Sequence, residues 1–571
     1  MIKRVFPPLM FMLASMSVMA KDEISLNING LSGPLQDNVD AYVSAISPSE
    51  YSTSLRFQSR LTKDIDVALS ALGYYHAKSD FSVNDKQDEL TVTVTPGEPM
   101  RVKLMDIVLT GEAKDDADFL RLIRVTPLKE GQVLNHSQYD SLKSSIRNLA
   151  LRKGYFDGTY SLSRLEVVPE LNQAFIRLHF DSGIRYQFGQ ATITGSQIDI
   201  DRVQSLQPYK SGDFYQVGKV GEHNQNLSNT EWFSSVFVEP DLTQVGNGRE
   251  IPMKVSLAPQ VKNQFETGLG YSTDVGAKVK FKWKKPWINQ RGHSFNTSLD
   301  LSIPEQQVTA AYKIPLDDVL KDYYVIQYGL KNVNRSDKKT LESNLAFERH
   351  WVLDRGWHRT AYIRYLVEDY ERNLEGDVGQ FVLPGLSYSR VVSRGGVLPM
   401  SGNKQTIMFE VGDKRALSET SVFRMRGTST WISSIGENHR GLFKIDLGAN
   451  IADDPSKLSP SLRFYAGGDN SIRGYDYESI SPEDSAGNKT GGQYLATSSL
   501  EYQYRIYNDW WAATFFDIGD AFDDSPVWKR GAGVGIRWVS PVGPIKFDFA
   551  KGLDDKPQAE WRIHFSLGPE L

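Results

Sequence analysis

Ala466-Gly467-Gly468-Asp469-Asn470-Ser471-Ile472-Arg473-Gly474-Tyr475 is a turn-rich stretch carrying one arginine, set between long runs of alternating sequence. Downstream, Leu500, Tyr502, Tyr504 and Ile506 alternate with Glu501, Gln503 and Arg505, the period of a strand with one apolar and one polar face. The next run, Thr514-Phe515-Phe516-Asp517-Ile518-Gly519, puts Asp517 on the same face as Phe515 and Gly519. If these strands belong to a membrane barrel, Glu501 and Asp517 face the lumen, because a charge facing lipid is heavily penalised. A loop arginine folded inward then pairs with both.

The whole chain sets limits on this reading. Its 571 residues are too many for one compact core, so several domains are expected. A net charge of −5 and a pI near 6.1 give no support for nucleic-acid binding. Mean hydropathy is −0.39, and no run of about 20 apolar residues follows the N-terminal stretch, so no spanning helix is expected. The absence of cysteine excludes disulfides, thiolate metal sites and a cysteine nucleophile. Residues 1–20 read as a secretory signal peptide: Lys3 and Arg4, an apolar core from Phe6 to Val18, and Val18-Met19-Ala20 at the cleavage site.

A repeat follows. Leu72-Gly73-Tyr74-Tyr75 and Lys153-Gly154-Tyr155-Phe156 lie 81 positions apart, and a degenerate third copy is read at Ser235-Val236-Phe237, 81 further on. Each closes a helical stretch: Leu61, Ile65, Leu69 and Leu72 share a face, as do Tyr139, Leu142, Ile146 and Leu149, while Val220 and Leu227 anchor a weaker third helix. Two strand-like runs come next, the second alternating cleanly at Leu90, Val92, Val94, at Ala174, Ile176, Leu178, Phe180, and at Ile251, Met253, Val255, Leu257. The expected domains are 21–98, 99–183 and 184–260, each running strand, helix, helix, strand, strand. Small α+β units of this kind expose sheet edges that can accept an extended peptide; the alternative is three spacer domains.

From residue 261 to 571 the helical period disappears. Val279, Phe281 and Trp283 alternate with Lys278, Lys280, Lys282 and Lys284; Ile545, Phe547 and Phe549 alternate with Lys546 and Asp548; Trp561, Ile563, Phe565 and Leu567 close the chain. Periodicity alone does not separate a soluble sandwich from a membrane barrel, but the leader, the lack of cysteine and the chain-final alternating strand favour the membrane. Such a length accommodates about 16 antiparallel strands. Pro286 to Gly292 reads as a short turn between the second and third strands, and Ser485 to Gly492 as an external loop after the Arg473 motif. At the two ends of the barrel, Gly268 and Gly270 weaken the first strand, and Phe565 leads into Gly568-Pro569, where proline cannot donate to a ladder. A first–last seam built this way pairs poorly; fraying of any terminal strand is the plainer reading.

Ile472-Arg473-Gly474-Tyr475 resembles the V-R-G-Y/F loop motif, and Phe515-x-Asp517-x-Gly519 the F-x-D-x-G strand motif, of the outer-membrane insertase and secretion superfamily that joins POTRA domains to a barrel and includes BamA. The likeness covers the whole chain and is greatest to the TamA family, the outer-membrane subunits of translocation and assembly modules, whose C-terminal tail Gly568-Pro569-Glu570-Leu571 resembles. It implies three α+β POTRA repeats followed by an all-β barrel of 16 strands, in the outer membrane of a Gram-negative bacterium with the repeats in the periplasm. It carries Arg473, Gly474 and Tyr475 over as an inward loop tip, and Glu501 and Asp517 as its lumenal partners. Ile472 replaces the usual valine conservatively.

The implied activity is ATP-independent insertion or translocation of β-rich outer-membrane clients, autotransporters among them, through the weak seam. The implied partners are these clients, the bilayer and a TamB-like inner-membrane-anchored periplasmic protein. Two other classes stay open: a two-partner secretion pore for a soluble passenger, and the outer-membrane terminus of a lipid-transport bridge. No enzyme is expected and no cofactor or metal, since the nine histidines are scattered without an H-E-x-x-H pattern. Gly531-Ala532-Gly533-Val534-Gly535 lacks the Lys-Ser/Thr of a phosphate loop.

Overall fold

Leu90, Val92 and Val94 are buried, as are Ala174, Ile176, Leu178 and Phe180, and Ile251, Met253, Val255 and Leu257, so each alternating run is the inner strand of a sheet covered by helices. The computed structural model describes residues 24–245, 248–335, 338–372, 375–396, 398–485, 487–540, 543–554 and 560–567. The leader expected at 1–20, Gly568 and Pro569 lie outside the described residues.

The first α+β unit comprises β1 (Ser25–Asn29), α1 (Pro34–Val43), α2 (Leu55–Ala71), β2 (Lys78–Val83) and β3 (Glu89–Thr95). The second comprises β4 (Arg101–Thr110), α3 (Ala117–Val125), α4 (His136–Lys153), β5 (Thr159–Val168) and β6 (Gln173–Asp181). The third comprises β7 (Gln187–Thr194), α5 (Ile200–Gln204), α6 (Val217–Asn229), β8 (Phe233–Pro240) and β9 (Glu250–Pro259). The sheet orders are β1-β3-β2, β4-β6-β5 and β7-β9-β8, with the last strand of each unit central. Side chains cap the long helices: Ser54 accepts from Phe57 N on α2, and Asn135 from Gln138 N on α4.

The helix ends explain the repeat. Gly73 (φ 92°) and Gly154 (φ 88°) take the left-handed turn that ends α2 and α4, and their carbonyls accept from Met100 N (2.7 Å) and Tyr186 N (2.9 Å) as the chain enters the next unit. In the third unit the same turn falls at Glu231 (φ 59°), and Trp232 O accepts from Gln260 N at 2.9 Å. The third copy is therefore Glu231-Trp232, and the reading at Ser235-Val236-Phe237 is corrected, since those residues lie inside β8. A fixed spacing misses it because the third unit reaches its turn sooner and makes it without glycine.

The remaining strands form one antiparallel sheet in sequence order: β10 (Gln264–Ser272), β11 (Gly276–Lys285), β12 (Ser294–Ser302), β13 (Glu305–Pro315), β14 (Asp322–Arg335), β15 (Lys338–Val352), β16 (His358–Arg372) and β17 (Glu375–Arg394). It continues through β18 (Ser401–Gly412), β19 (Val422–Ile435), β20 (His439–Ala452), β21 (Tyr494–Tyr507), β22 (Trp510–Phe522), β23 (Lys529–Ser540), β24 (Gly543–Gly552) and β25 (Arg562–Leu567). These 16 strands make a nearly closed barrel, and the turn expected at Pro286–Gly292 joins β11 to β12. Leu345, Phe347, Ile363, Leu500, Val534 and Ile563 point outward and exposed, an apolar belt suited to lipid. No described helix is long and apolar enough to cross a membrane, which says nothing of a crossing by barrel strands.

Residues 453–493 form one long connection between β20 and β21. It holds both the Arg473 motif and the Ser485–Gly492 segment, which are parts of a single loop rather than successive features. Ile472, Tyr475, Phe464, Ala466 and Ile480 pack with Leu495 and Ala521 of the wall, so the loop has its own core inside the barrel.

Candidate functional site: the lumenal arginine and the seam

Arg473 enters a lumen built from alternate residues of four consecutive strands. Because side chains alternate across a strand, Glu501 and Gln503 of β21, Phe515 and Asp517 of β22, Arg537 of β23 and Asp548 of β24 face inward and are buried, while Leu500, Tyr502 and Phe516 face outward. The Arg473 guanidinium donates to Asp517 through Nε (2.8 Å) and Nη2 (2.9 Å), and its own backbone N–H adds a third bond to Oδ2 (3.0 Å). Nη1 reaches Glu501 Oε2 at 2.7 Å and Asp548 Oδ2 at 3.3 Å, and Nη2 reaches Ser499 Oγ at 3.2 Å. The guanidinium also lies 3.4 Å from the Phe515 ring centroid.

Arg537 forms a second cationic centre, donating to Glu501 (3.0 Å) and to both oxygens of Asp548. Gln503 donates to Glu501 at 2.7 Å and accepts from Arg440 at 2.6 Å, which extends the chain of bonds to β20. Two arginines thus bridge three carboxylates in a site where the Arg473 side chain is 8% exposed and Asp517 is fully enclosed. Such a network of charge-assisted hydrogen bonds holds a loop against a wall.

Glycine makes the approach possible. Gly474 (φ 92°) would place a Cβ 2.5 Å from the Lys551 carbonyl carbon and 2.6 Å from Gly552 N. A Cβ on Gly531 would strike the Arg473 carbonyl, and one on Gly533 would lie 2.5 Å from the Phe515 ring. Gly531 therefore clears the inner face of β23 for the loop and Gly533 makes room for the Phe515 ring beside Arg473, roles that sequence reading missed; small residues at alternate positions on one face were the signal. Asp548 and Arg537 were missed as well. Gly519 brings β22 close to β21, where a Cβ would lie 2.5 Å from Ala496 O. Tyr475 is buried and donates to Arg530 O at 3.3 Å.

The sequence-derived seam residues have a different setting. Every neighbouring pair from β10–β11 to β24–β25 is a registered ladder, but no ladder joins β10 to β25 among the described residues. The edges meet where Thr273 N donates to Phe565 O (3.2 Å), Phe565 N donates to Thr273 Oγ1 (3.1 Å) and the Tyr271 and Phe565 rings lie 5.8 Å apart. A Cβ on Gly270 would meet nothing within 4 Å, and one on Gly268 only Lys280 Cβ at 3.9 Å, so the first strand is open where those glycines lie. Phe565 touches β10 only near its far end, and Gly268 and Gly270 are not paired across the seam.

Comparison with known proteins matches residues 262–570 to the Omp85 superfamily domain, 25–96 to the first POTRA domain of TamA and 102–181 to a POTRA domain described as a surface antigen variable number repeat. The outer membrane protein assembly factor BamA of Nitratidesulfovibrio vulgaris is 24% identical over 85% of this chain and 64% of its own length. BamA of Neisseria meningitidis is 20% identical over 87% of this chain and 70% of its own. The chain thus spans slightly less than two thirds of the first of these relatives. The crystal structure of Haemophilus ducreyi BamA lacking POTRA domains 1–3 superposes with a TM-score of 0.69 at 14% identity, covering 82% of this chain and 99% of that one.

Proposed function

We propose, from the premise that this chain belongs to the Omp85 superfamily, that it inserts or translocates β-rich proteins at the outer membrane by offering them the unpaired edges of β10 and β25. The barrel sits in the outer membrane with its POTRA units in the periplasm. The observation that carries the mechanism is the seam: fifteen ladders hold the sheet together, and at the sixteenth position no ladder forms among the described residues, the edges meeting directly through the Thr273–Phe565 hydrogen bonds and the Tyr271–Phe565 ring contact. Unmade backbone hydrogen bonds facing a partner strand are a template for its pairing. Opening there breaks few bonds, so ATP is not required, and the exchange of strands is driven by the client's own folding. The protein acts as an insertase and not as an enzyme. The match of residues 25–96 to a TamA POTRA domain supports the narrower reading in which autotransporters are among the clients and a TamB-like inner-membrane-anchored protein docks on the POTRA units.

Locking the seam tests this. The chain has no cysteine, so Tyr271→Cys with Phe565→Cys can be bridged by oxidation or a short thiol-reactive linker. Autotransporter assembly in membranes should stop when the bridge forms and return when an oxidised bridge is reduced. Full assembly with the bridge demonstrably closed would overturn lateral opening and leave passage through the lumen or a lipid-bridge terminus as the surviving readings.

A further inference from the structure

Beyond the Arg473 network, three segments converge at the far end of the seam: the turn after β10, the 453–493 loop and β25. Asp469 N donates to both oxygens of Asp274 (3.2 and 3.0 Å), and Asp469 Oδ1 accepts from Thr273 Oγ1 (2.8 Å) and His564 Nδ1 (2.6 Å). Gly474 N donates to His564 Nε2 at 2.9 Å. An imidazole nitrogen that accepts carries no proton, so the ring proton is on Nδ1 and His564 is neutral. One polar atom from each of Asp274, Asp469 and His564 lies within 4.8 Å of the other two. One oxygen is left over. Asp469 Oδ2 is buried without a hydrogen-bond partner, in a side chain only 3% exposed.

We propose that Asp274 and Asp469 share one proton, and that this carboxyl–carboxylate pair is a clasp that holds the outer end of the β10–β25 seam closed and lets go as the proton leaves to solvent. A proton on Asp274 gives Asp469 Oδ2 the donor it lacks and removes one of two like charges from a buried site. The surrounding cations are engaged elsewhere: Arg335 and Lys338 meet Glu478, Arg562 meets Asp476 and Lys331 meets Glu305. Tyr475 and Tyr477 line the same space without contributing a positive charge. A metal ion held by all three side chains would need an imidazole lone pair, and His564 has none free, with Nδ1 protonated and Nε2 taken by Gly474. Burial and the adjacent Asp469 carboxylate push Asp274 up to about 7. The clasp belongs to the seam itself and holds it whichever client uses it.

The sign follows from proton count. Separated, Asp274 returns to the ordinary carboxyl value of about 4, whereas in the closed clasp it keeps its proton up to about pH 7. Closing therefore takes up a proton between those limits, and the closed-to-open ratio falls by up to about tenfold per pH unit across them, with little change above. Spin labels on Ala277→Cys and Ile563→Cys, exposed sites outside the clasp, report the seam distance in the full chain in lipid nanodiscs. The short-distance population should fall from pH 5 to 7, and Asp274→Asn and Asp469→Asn should each flatten that profile. Infrared difference spectra between pH 6 and 9 should show a protonated-carboxyl band in the parent that Asp274→Asn lacks. A flat parent profile, a parent-like slope in both variants, or no such band in the parent would overturn the proposal. So would a pH response that disappears in EDTA and returns with micromolar Zn²⁺.

Discussion

Arg473 and Asp517 are joined by three hydrogen bonds, two from the guanidinium fork and one from the backbone N–H of the same arginine, onto a carboxylate fully enclosed by the barrel. The backbone bond fixes where the chain lies, and the fork fixes where the side chain points. Removing one member of such a buried pair strands the other charge, at a cost of about 3–5 kcal/mol. Arg473→Ala and Asp517→Ala should therefore each lower the temperature of the heat-induced gel shift of the barrel, and Asn470→Ala, at an exposed loop position, should leave it in place. The exchange Arg473→Glu with Asp517→Arg should rescue nothing, because Glu501 and Asp548 would then face a new carboxylate. Arg473→Lys should fall between, keeping the charge but losing the two-pronged contact.

Gly474 tests the loop's path separately from its charge. Gly474→Ala combines a left-handed backbone with a Cβ that overlaps the Lys551–Gly552 peptide, so the tip cannot seat although Arg473 is intact. Limited trypsin digestion of membranes should cut the variant at Arg473 while the parent resists, since Arg473 is sealed in the lumen. A protected Arg473 in the variant would mean that the loop is held by its apolar core and not by its tip.

How much of this was legible in the sequence depends on which distance a residue must reach. Period two assigns a face, and it placed Glu501, Phe515 and Asp517 inside the barrel and Leu500 and Phe516 outside. It says nothing about which strands stand level across the lumen. Asp548, on β24, meets Arg473 from 75 residues away through the tilt and stagger of the barrel, and no local pattern encodes that register. The same limit hid Asp274, Asp469 and His564, which lie on three separate segments. Glu231 shows a different failure: the third copy was sought at a fixed spacing of 81 residues, and the third unit makes its turn sooner, with a residue that carries no glycine signal.

His223 gives the periplasmic region a pH dependence of its own. It is buried on α6, 1% exposed, and burial pulls its pKa down from 6.5 to about 4. The unfolded chain then binds a proton that the folded one refuses between those values. Stability of the third unit is complete above about pH 6.5 and declines as pH falls toward 4, by about 3 kcal/mol over the window. Hydrogen-exchange protection of the α6 amides in the full chain, corrected for intrinsic rates, should fall over that range. His223→Asn should remove most of the slope; an unchanged slope would assign it to other groups.

Trp232 and Gly292 tie the third unit to the near end of the barrel through one aromatic ring. Trp232 Nε1 donates to Gly292 O at 3.1 Å, and a Cβ on Gly292 (φ 76°) would come within 2.5 Å of ring atom Cε2. Around them Ile198, Val203, Leu227 and Val319 form a shared core, and Trp287 Nε1 donates to Gln260 O at 2.8 Å. Trp232→Ala empties a large buried site and should cost about 3–5 kcal/mol. Gly292→Ala should cost about 1–3 kcal/mol from overpacking and the positive φ. The two should not add. Once the ring is gone the Gly292→Ala methyl has room, so the double variant should be little worse than Trp232→Ala, with a coupling of about 1–2 kcal/mol. Hydrogen exchange at residues 198–206 and 287–293 measures all three, and strict additivity would show that the ring does not sit on Gly292.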